Sequence, residues 1–179
     1  MAKNKNLLII LPLLGWTLLC GFDSDSLRIV TKRAYGGEIG VREKTNNNDG
    51  PRVEAYLKYC SLLRGNPWCA SFICWVYGQV GIKNPRSGYC PDLFNSKHNI
   101  YLRTEKQLKQ KPKLGDVFGI YFPEKKRVAH VGFVDDWQDK YVITVEGNTN
   151  QAGSREGDGV YQKRRLISSI FIVADYIDK

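Results

Sequence analysis

A cysteine at the mouth of an apolar helix and a histidine inside a strand are the residues of this chain best suited to covalent chemistry. Cys69 follows Gly65-Asn66-Pro67-Trp68, and apolar residues then recur at Cys69, Phe72, Ile73, Val76 and Val80. That spacing predicts a helix buried on one face. Gly65 and Asn66 are turn formers, and Pro67 suits a first helical turn, where a missing N–H costs nothing. Gly78 and Gly81 let the helix run out before Lys83-Asn84-Pro85. A thiol in the first turn sits among unpaired backbone N–H groups at the positive end of the helix dipole, which favours thiolate over thiol. Cys69 is therefore the expected nucleophile.

A thiolate nucleophile needs a group to take and return protons, and something must hold that group in one tautomer. The chain has two histidines. His98 lies in a polar loop between Lys97 and Asn99 and is expected simply to be exposed. His130 lies within Val128-Ala129-His130-Val131-Gly132-Phe133-Val134, where an unpaired imidazole would be costly, so it is a hydrogen-bonded core residue or a functional one. Alternation in the next strand puts Val142, Thr144, Glu146 and Asn148 on one face. A hairpin loop at Asp136–Lys140 sets His130 opposite Glu146, and a loop at Gln138–Lys140 sets it opposite Asn148. A slip by one residue would bring Gly147 opposite instead. Glu146 is the first choice as orienter and Asn148 the second.

The elements that must position these residues read as helices first and strands afterwards, an α+β order. Residues 22–45 form a leader segment containing a short helix or turn. Asn46-Asn47-Asn48-Asp49-Gly50 is a turn or a substrate-side loop, with too few acids for a calcium loop. Pro51 opens a helix with Val53, Tyr56, Leu57, Cys60 and Leu63 on one face, ending near Arg64-Gly65 and pairing with the cysteine helix. Residues 84–112 read as an irregular surface connection with a short helix near Tyr101–Leu108. From Leu114 onward, five short strands separated by turns predict an antiparallel meander.

The 179 residues suffice for one domain with a core. At the start, Lys3 and Lys5 precede an apolar run from Leu7 to Leu19, too short to span a bilayer and typical of a secretory signal peptide over residues 1–21. A retained anchor or a lipidated Cys20 is the alternative, and either would be the only membrane attachment expected. Removing residues 1–21 takes two lysines and no acid, lowering the net charge from +9 to +7. An exported basic protein suits a polyanionic partner. The basic runs at 106–113, 125–127 and 163–165 carry no aromatic interleaving or nucleic-acid motif, and no nucleic acid is expected. Cys60, Cys74 and Cys90 are expected as small buried core residues, with at most one bridge among them if Cys69 stays reduced.

The segments Pro67-Trp68-Cys69-Ala70-Ser71-Phe72, Leu114-Gly115-Asp116-Val117, Ala129-His130-Val131-Gly132 and Val145-Glu146-Gly147-Asn148 together resemble the CHAP family of cysteine, histidine-dependent amidohydrolases/peptidases. The resemblance implies a papain-like α+β fold, with N-terminal helices and the nucleophile helix packed on an antiparallel sheet of about five strands. It places a catalytic domain over residues 46–179. It also implies Cys69 as nucleophile, His130 as base, Glu146 as its polar partner and Asn148 as a further catalytic residue. Trp68 reads as a substrate-binding wall beside the nucleophile. The expected activity is that of an exported, monomeric peptidoglycan hydrolase of the periplasm or cell wall, either an N-acetylmuramoyl-L-alanine amidase or an endopeptidase. No cofactor or metal is expected, since the several acids of calcium-binding members are missing before Cys69. A cysteine protease or toxin-like effector acting on protein, and a non-catalytic wall-binding module, are the alternatives.

Overall fold

The computed structural model describes residues 23–105, 107–151 and 157–178. The signal-peptide reading of residues 1–21 lies outside them. Three helices, α1 (Ser24–Gly36), α2 (Pro51–Tyr59) and α3 (Cys69–Gln79), precede the sheet. Its strands are β1 (Asn99–Leu102), β2 (Gln107–Leu108), β3 (Val117–Phe122), β4 (Arg127–Trp137), β5 (Tyr141–Thr149), β6 (Gly159–Leu166) and β7 (Ile172–Ala174). All pairings are antiparallel, in the order β2-β1-β7-β3-β4-β5-β6. The fold is thus α+β and papain-like. The sheet differs from the five-strand meander in two respects. β1 and β2 arise within the stretch expected to be irregular, and β7 crosses back to pair with β3 rather than with β6. Isolated short segments of four and two residues carry too little periodicity to announce a strand; β1 becomes one by pairing with β7, and β2 by pairing with β1.

Helix α3 is buried almost all round, not on one face: Cys69, Ala70, Ser71, Phe72, Ile73, Cys74, Val76 and Tyr77 are all buried. α1 and α2 pack against it on one side and the sheet on another. Phe133 of β4 stacks on Tyr35 of α1 and meets Phe72 and Tyr77 of α3 edge-on. Gly147 of β5 allows the closest approach, because a Cβ there would lie 2.7 Å from the Trp68 ring and 2.9 Å from that of Phe72. The reverse face of the sheet buries a second cluster: Phe118, Val134, Val142 and Val173, with Ile100, Trp137 and Ile170.

Helix α1 is tied to the sheet by charge. Asp23 caps it, its Oδ1 accepting from the Ser26 N–H at 2.9 Å. Arg28 on its inner side donates to Asp116 Oδ1 at 2.8 Å and to the Leu114 carbonyl at 2.6 Å, with Asp175 and Asp178 at 3.1 and 3.0 Å. Asp116 and Asp175 are fully buried. Burial pushes the Asp116 carboxyl up to about 7 even beside the guanidinium. Removing Arg28 would strand two buried carboxylates. Arg28→Ala is accordingly expected to cost about 3–5 kcal/mol in urea unfolding, far more than a surface arginine.

Candidate active site

The ladder between β4 and β5 has a bulge and an early end. Trp137 pairs with Val142 and Asp136 with Ile143, the register shifts around Asp135, and Val134–Thr144 and Phe133–Val145 close the ladder. The connecting loop is therefore Gln138–Lys140, the second of the two registers considered, which runs on toward His130 opposite Asn148. Beyond Phe133–Val145 the two strands part, and the candidate residues lie at that opening. A second bulge, between β3 and β4, pairs Ile120 with His130 and Tyr121 with Val128, leaving Ala129 extra.

The His130 ring does not bond the residue it opposes. Its Nε2 lies 2.8 Å from Glu146 Oε2, a diagonal contact across the strands. Gly132 makes that diagonal possible: a Cβ there would sit 2.7 Å from Glu146 Cγ and 2.6 Å from the Phe118 ring. Glu146 is completely buried, and its carboxylate is saturated with donors. Thr144 Oγ1 donates to Oε1 at 2.6 Å, and Arg165 of β6 forks across both oxygens, Nε to Oε1 at 2.5 Å and Nη2 to Oε2 at 2.6 Å. Burial alone would raise the Glu146 carboxyl, but Arg165 and His130 outweigh it and hold the group far below the usual carboxylate range.

Cys69 is the first residue of α3, at the dipole's positive end, and is 5% exposed. Its Sγ lies 3.6 Å from Cys90 Sγ, at the start of the 3₁₀ turn Cys90–Leu93. The Cys90 thiol is the strongest influence lowering Cys69; burial opposes it, and His130 together with the Val131 N–H reinforces it. The result is a thiol held well below its ordinary value. The shared hydrogen bond pushes Cys90 the other way, up, with burial adding to it, a direction that favours Cys90 as the donor and Cys69 as the acceptor. Burial lowers His130, but its hydrogen bonds to Cys69 and Glu146 prevail and raise it to about 9. Both shifts favour the thiolate of Cys69 and the imidazolium of His130 over their neutral forms, with the carboxylate of Glu146 behind the ring.

A groove of about 940 Å³ opens over this pair, lined by Cys69, His130 and Asn148, by Asn46–Asn48 of the loop before α2, and by Lys125 and Arg165. The Asn46–Gly50 segment is thus a loop beside the groove. Asn148 adopts φ +53°, and its amide turns away from His130, donating to Asn48 Oδ1 at 2.8 Å. Trp68 requires a correction. Expected as a substrate-contacting wall, it is fully buried, its indole N–H donating to Glu43 Oε1 at 2.8 Å and its ring packed on Tyr56. An indole surrounded by core needs an internal acceptor, and Glu43 supplies it. Glu43 Oε2 also accepts the Asn48 N–H at 2.8 Å, so Trp68 acts by holding the groove loop in place. His98 is likewise not simply exposed, since it stacks on Tyr176 with ring centroids 4.1 Å apart. All four described cysteines are free and buried. Among the described residues no group of three or more potential ligands could hold a metal ion. Cys90, Thr144, Glu43 and Arg165 were not candidates on sequence grounds; only the alternation placing Thr144 with Glu146 hinted at one of them.

A cysteine at a helix mouth, an imidazole on an antiparallel sheet and a buried carboxylate behind it make the arrangement that a papain-like cysteine, histidine-dependent domain requires. Residues 63–148, which hold Cys69, His130, Glu146 and Asn148, match the CHAP domain. CHAP domains are cysteine, histidine-dependent amidohydrolases or peptidases, generally acting on peptidoglycan. Comparison with curated proteins and with solved structures gave no match.

Alkylation by iodoacetamide, followed residue by residue by mass spectrometry, checks the ionisation. Cys69 is expected to react with a midpoint well below the 8.5 of an ordinary thiol. Cys90→Ala is expected to move that midpoint up by roughly one pH unit, the worth of a lost hydrogen bond to a charge.

Proposed function

We propose that this protein is an exported peptidoglycan hydrolase that cleaves an amide bond through a Cys69 acyl-enzyme. The single observation that carries the reading is the placement of Cys69 and His130 together on the lining of one open groove, with Glu146 bonded to the ring at Nε2. The Cys69 thiolate attacks the amide carbonyl of a stem peptide, cross-bridge or sugar–peptide link. The backbone N–H of Cys69 has no partner within the helix at its first position and supplies one oxyanion donor. His130, protonated at the outset, gives its proton to the departing amine; neutral, it then takes one from the water that releases the acyl group. Glu146 keeps the ring oriented and stabilises its positive charge in both half-reactions. The sequence of residues 1–21 supports export, and the basic surface, with Lys125 at the groove, suits an anionic wall.

Purified wild type and Cys69→Ala incubated with peptidoglycan of several wall types, with released fragments identified by mass spectrometry, test this directly. New amino termini, each matched by a new carboxyl on a peptide or on the lactyl group, are expected from the wild type alone; identical fragments from both proteins, or none from either, would contradict it. The pH profile has a definite sign. His130 holds its proton below about 9, so kcat/KM is expected to rise as Cys69 ionises, stay high through neutrality and fall as pH climbs through about 9.

A further inference from the structure

We propose that Arg165 is a positioning residue for this reaction, its guanidinium forking over Glu146 to fix the carboxylate that orients His130 and to balance the charge of a largely buried four-group cluster. The proposal rests on Cys69 and His130 acting as nucleophile and base. Arg165 stands on β6, seventeen residues past the end of the family match at 148, so the match does not assign it.

The geometry is that of a bidentate pair. Nε and Nη2 reach separate oxygens of Glu146 at 2.5 and 2.6 Å, a planar fork that a lysine cannot reproduce. Arg165 pairs with Val142 across the β5–β6 ladder, and Lys163 pairs with Thr144, so Arg165 and Lys163 share the sheet face of Thr144 and Glu146. The fork leaves no freedom in how Glu146 meets the ring. Oε1 takes Thr144 and Arg165 Nε, while Oε2 takes Arg165 Nη2 and His130 Nε2.

Charge makes the same point. Thiolate, imidazolium, carboxylate and guanidinium sum to zero, and three of their side chains are nearly or wholly buried. Without the guanidinium the remaining three would carry a net negative charge out of water. Such a cluster lowers its energy by taking up a proton, on Glu146 or on Cys69, and either event disarms the nucleophile. The other groups facing this cluster do not replace Arg165. On β6, the Lys163 ammonium is turned to the carbonyls of Asn150 and Gln151. On β5, Thr144 is neutral and donates only to Oε1. On β4, Arg127 donates to the Val128 carbonyl and lies over the Tyr89 ring. On the 3₁₀ turn, Cys90 is a neutral thiol bonded to Cys69.

The test needs no substrate, which separates it from the peptidoglycan reading. The pH midpoint of Cys69 alkylation by iodoacetamide is measured in wild type, Arg165→Gln, Arg165→Lys, Glu146→Gln and the Glu146→Gln/Arg165→Gln double variant. Arg165→Gln is expected to raise the midpoint by about one pH unit or more, with Arg165→Lys between it and wild type. In the Glu146→Gln background the second substitution is expected to add little, because Arg165 acts through that carboxylate. A wild-type midpoint in Arg165→Gln would overturn the proposal, as would a full, undiminished shift in the Glu146→Gln background, which marks a direct field on the thiolate. A purely structural ion pair between β5 and β6 would alter the unfolding midpoint and leave the alkylation midpoint where it was. Should Arg165→Gln fail to fold, Arg165→Lys decides: with an unchanged near-ultraviolet circular dichroism spectrum, a raised midpoint supports the fork and a wild-type midpoint overturns it. Shifted alkylation without any release of wall fragments by the wild type would leave Arg165 in place and remove the substrate.

Discussion

A fully buried carboxylate is the constraint around which this molecule is arranged. Glu146 has no access to water, and an unpaired ion there would cost several kcal/mol or take up a proton. Four donor atoms on three neighbouring residues prevent that: Thr144 beside it, Arg165 from the outer strand and His130 from the inner one. Each partner places a demand on the backbone. β6 must run in register for the fork to land, and β4 must be bare at Gly132 for the Glu146 side chain to cross it. The β4–β5 ladder must also stop at Phe133–Val145 so that the ring can reach diagonally. The imidazole so held stays protonated past neutrality, and it adds to the hydrogen bond from Cys90, the larger influence, in lowering the Cys69 thiol.

A second polar network fixes the opposite bank of the groove. Glu43 accepts from the indole of Trp68, one residue before Cys69, and from the backbone of Asn48, while Asn148 ties the end of β5 to the same loop. Trp68 is locked in the core against Tyr56, so the start of α3 and the groove loop move together or not at all. Cys69 sits between these two networks. Its helix, buried on nearly every side, adds rigidity that a half-exposed amphipathic helix would lack.

Much of this was legible from residue types and spacing. The turn and proline before Cys69 marked the start of α3 because helix N-termini have strong local signatures, and strand alternation placed Thr144 and Glu146 together because the period of two is strict. Three things were hidden for physical reasons. The register of β4 against β5 depends on a bulge at Asp135, which alternation cannot reveal, and the contact that matters is diagonal. Trp68 is apolar in composition whether it lines a groove or fills a core; only its acceptor, Glu43, distant in sequence, decides between them. Cys90 and Arg165 come from segments whose positions are set by tertiary packing, and an arginine in a basic run looks like any other solvated charge until its partner is seen.

The ionisation of His130 is the quantity on which the nucleophile, its orienter and the charge balance all converge. Two-dimensional NMR of ring nitrogens in ¹⁵N-histidine-labelled protein reads it directly, with His98 as an internal comparison. His130 is expected to carry protons on both nitrogens at pH 7, to lose one only as pH rises through about 9, and to show a strongly hydrogen-bonded Nε2–H. A neutral His130 ring at pH 7, titrating at or below the ordinary value of about 6.5, would contradict the thiolate–imidazolium pair and the role given to Glu146.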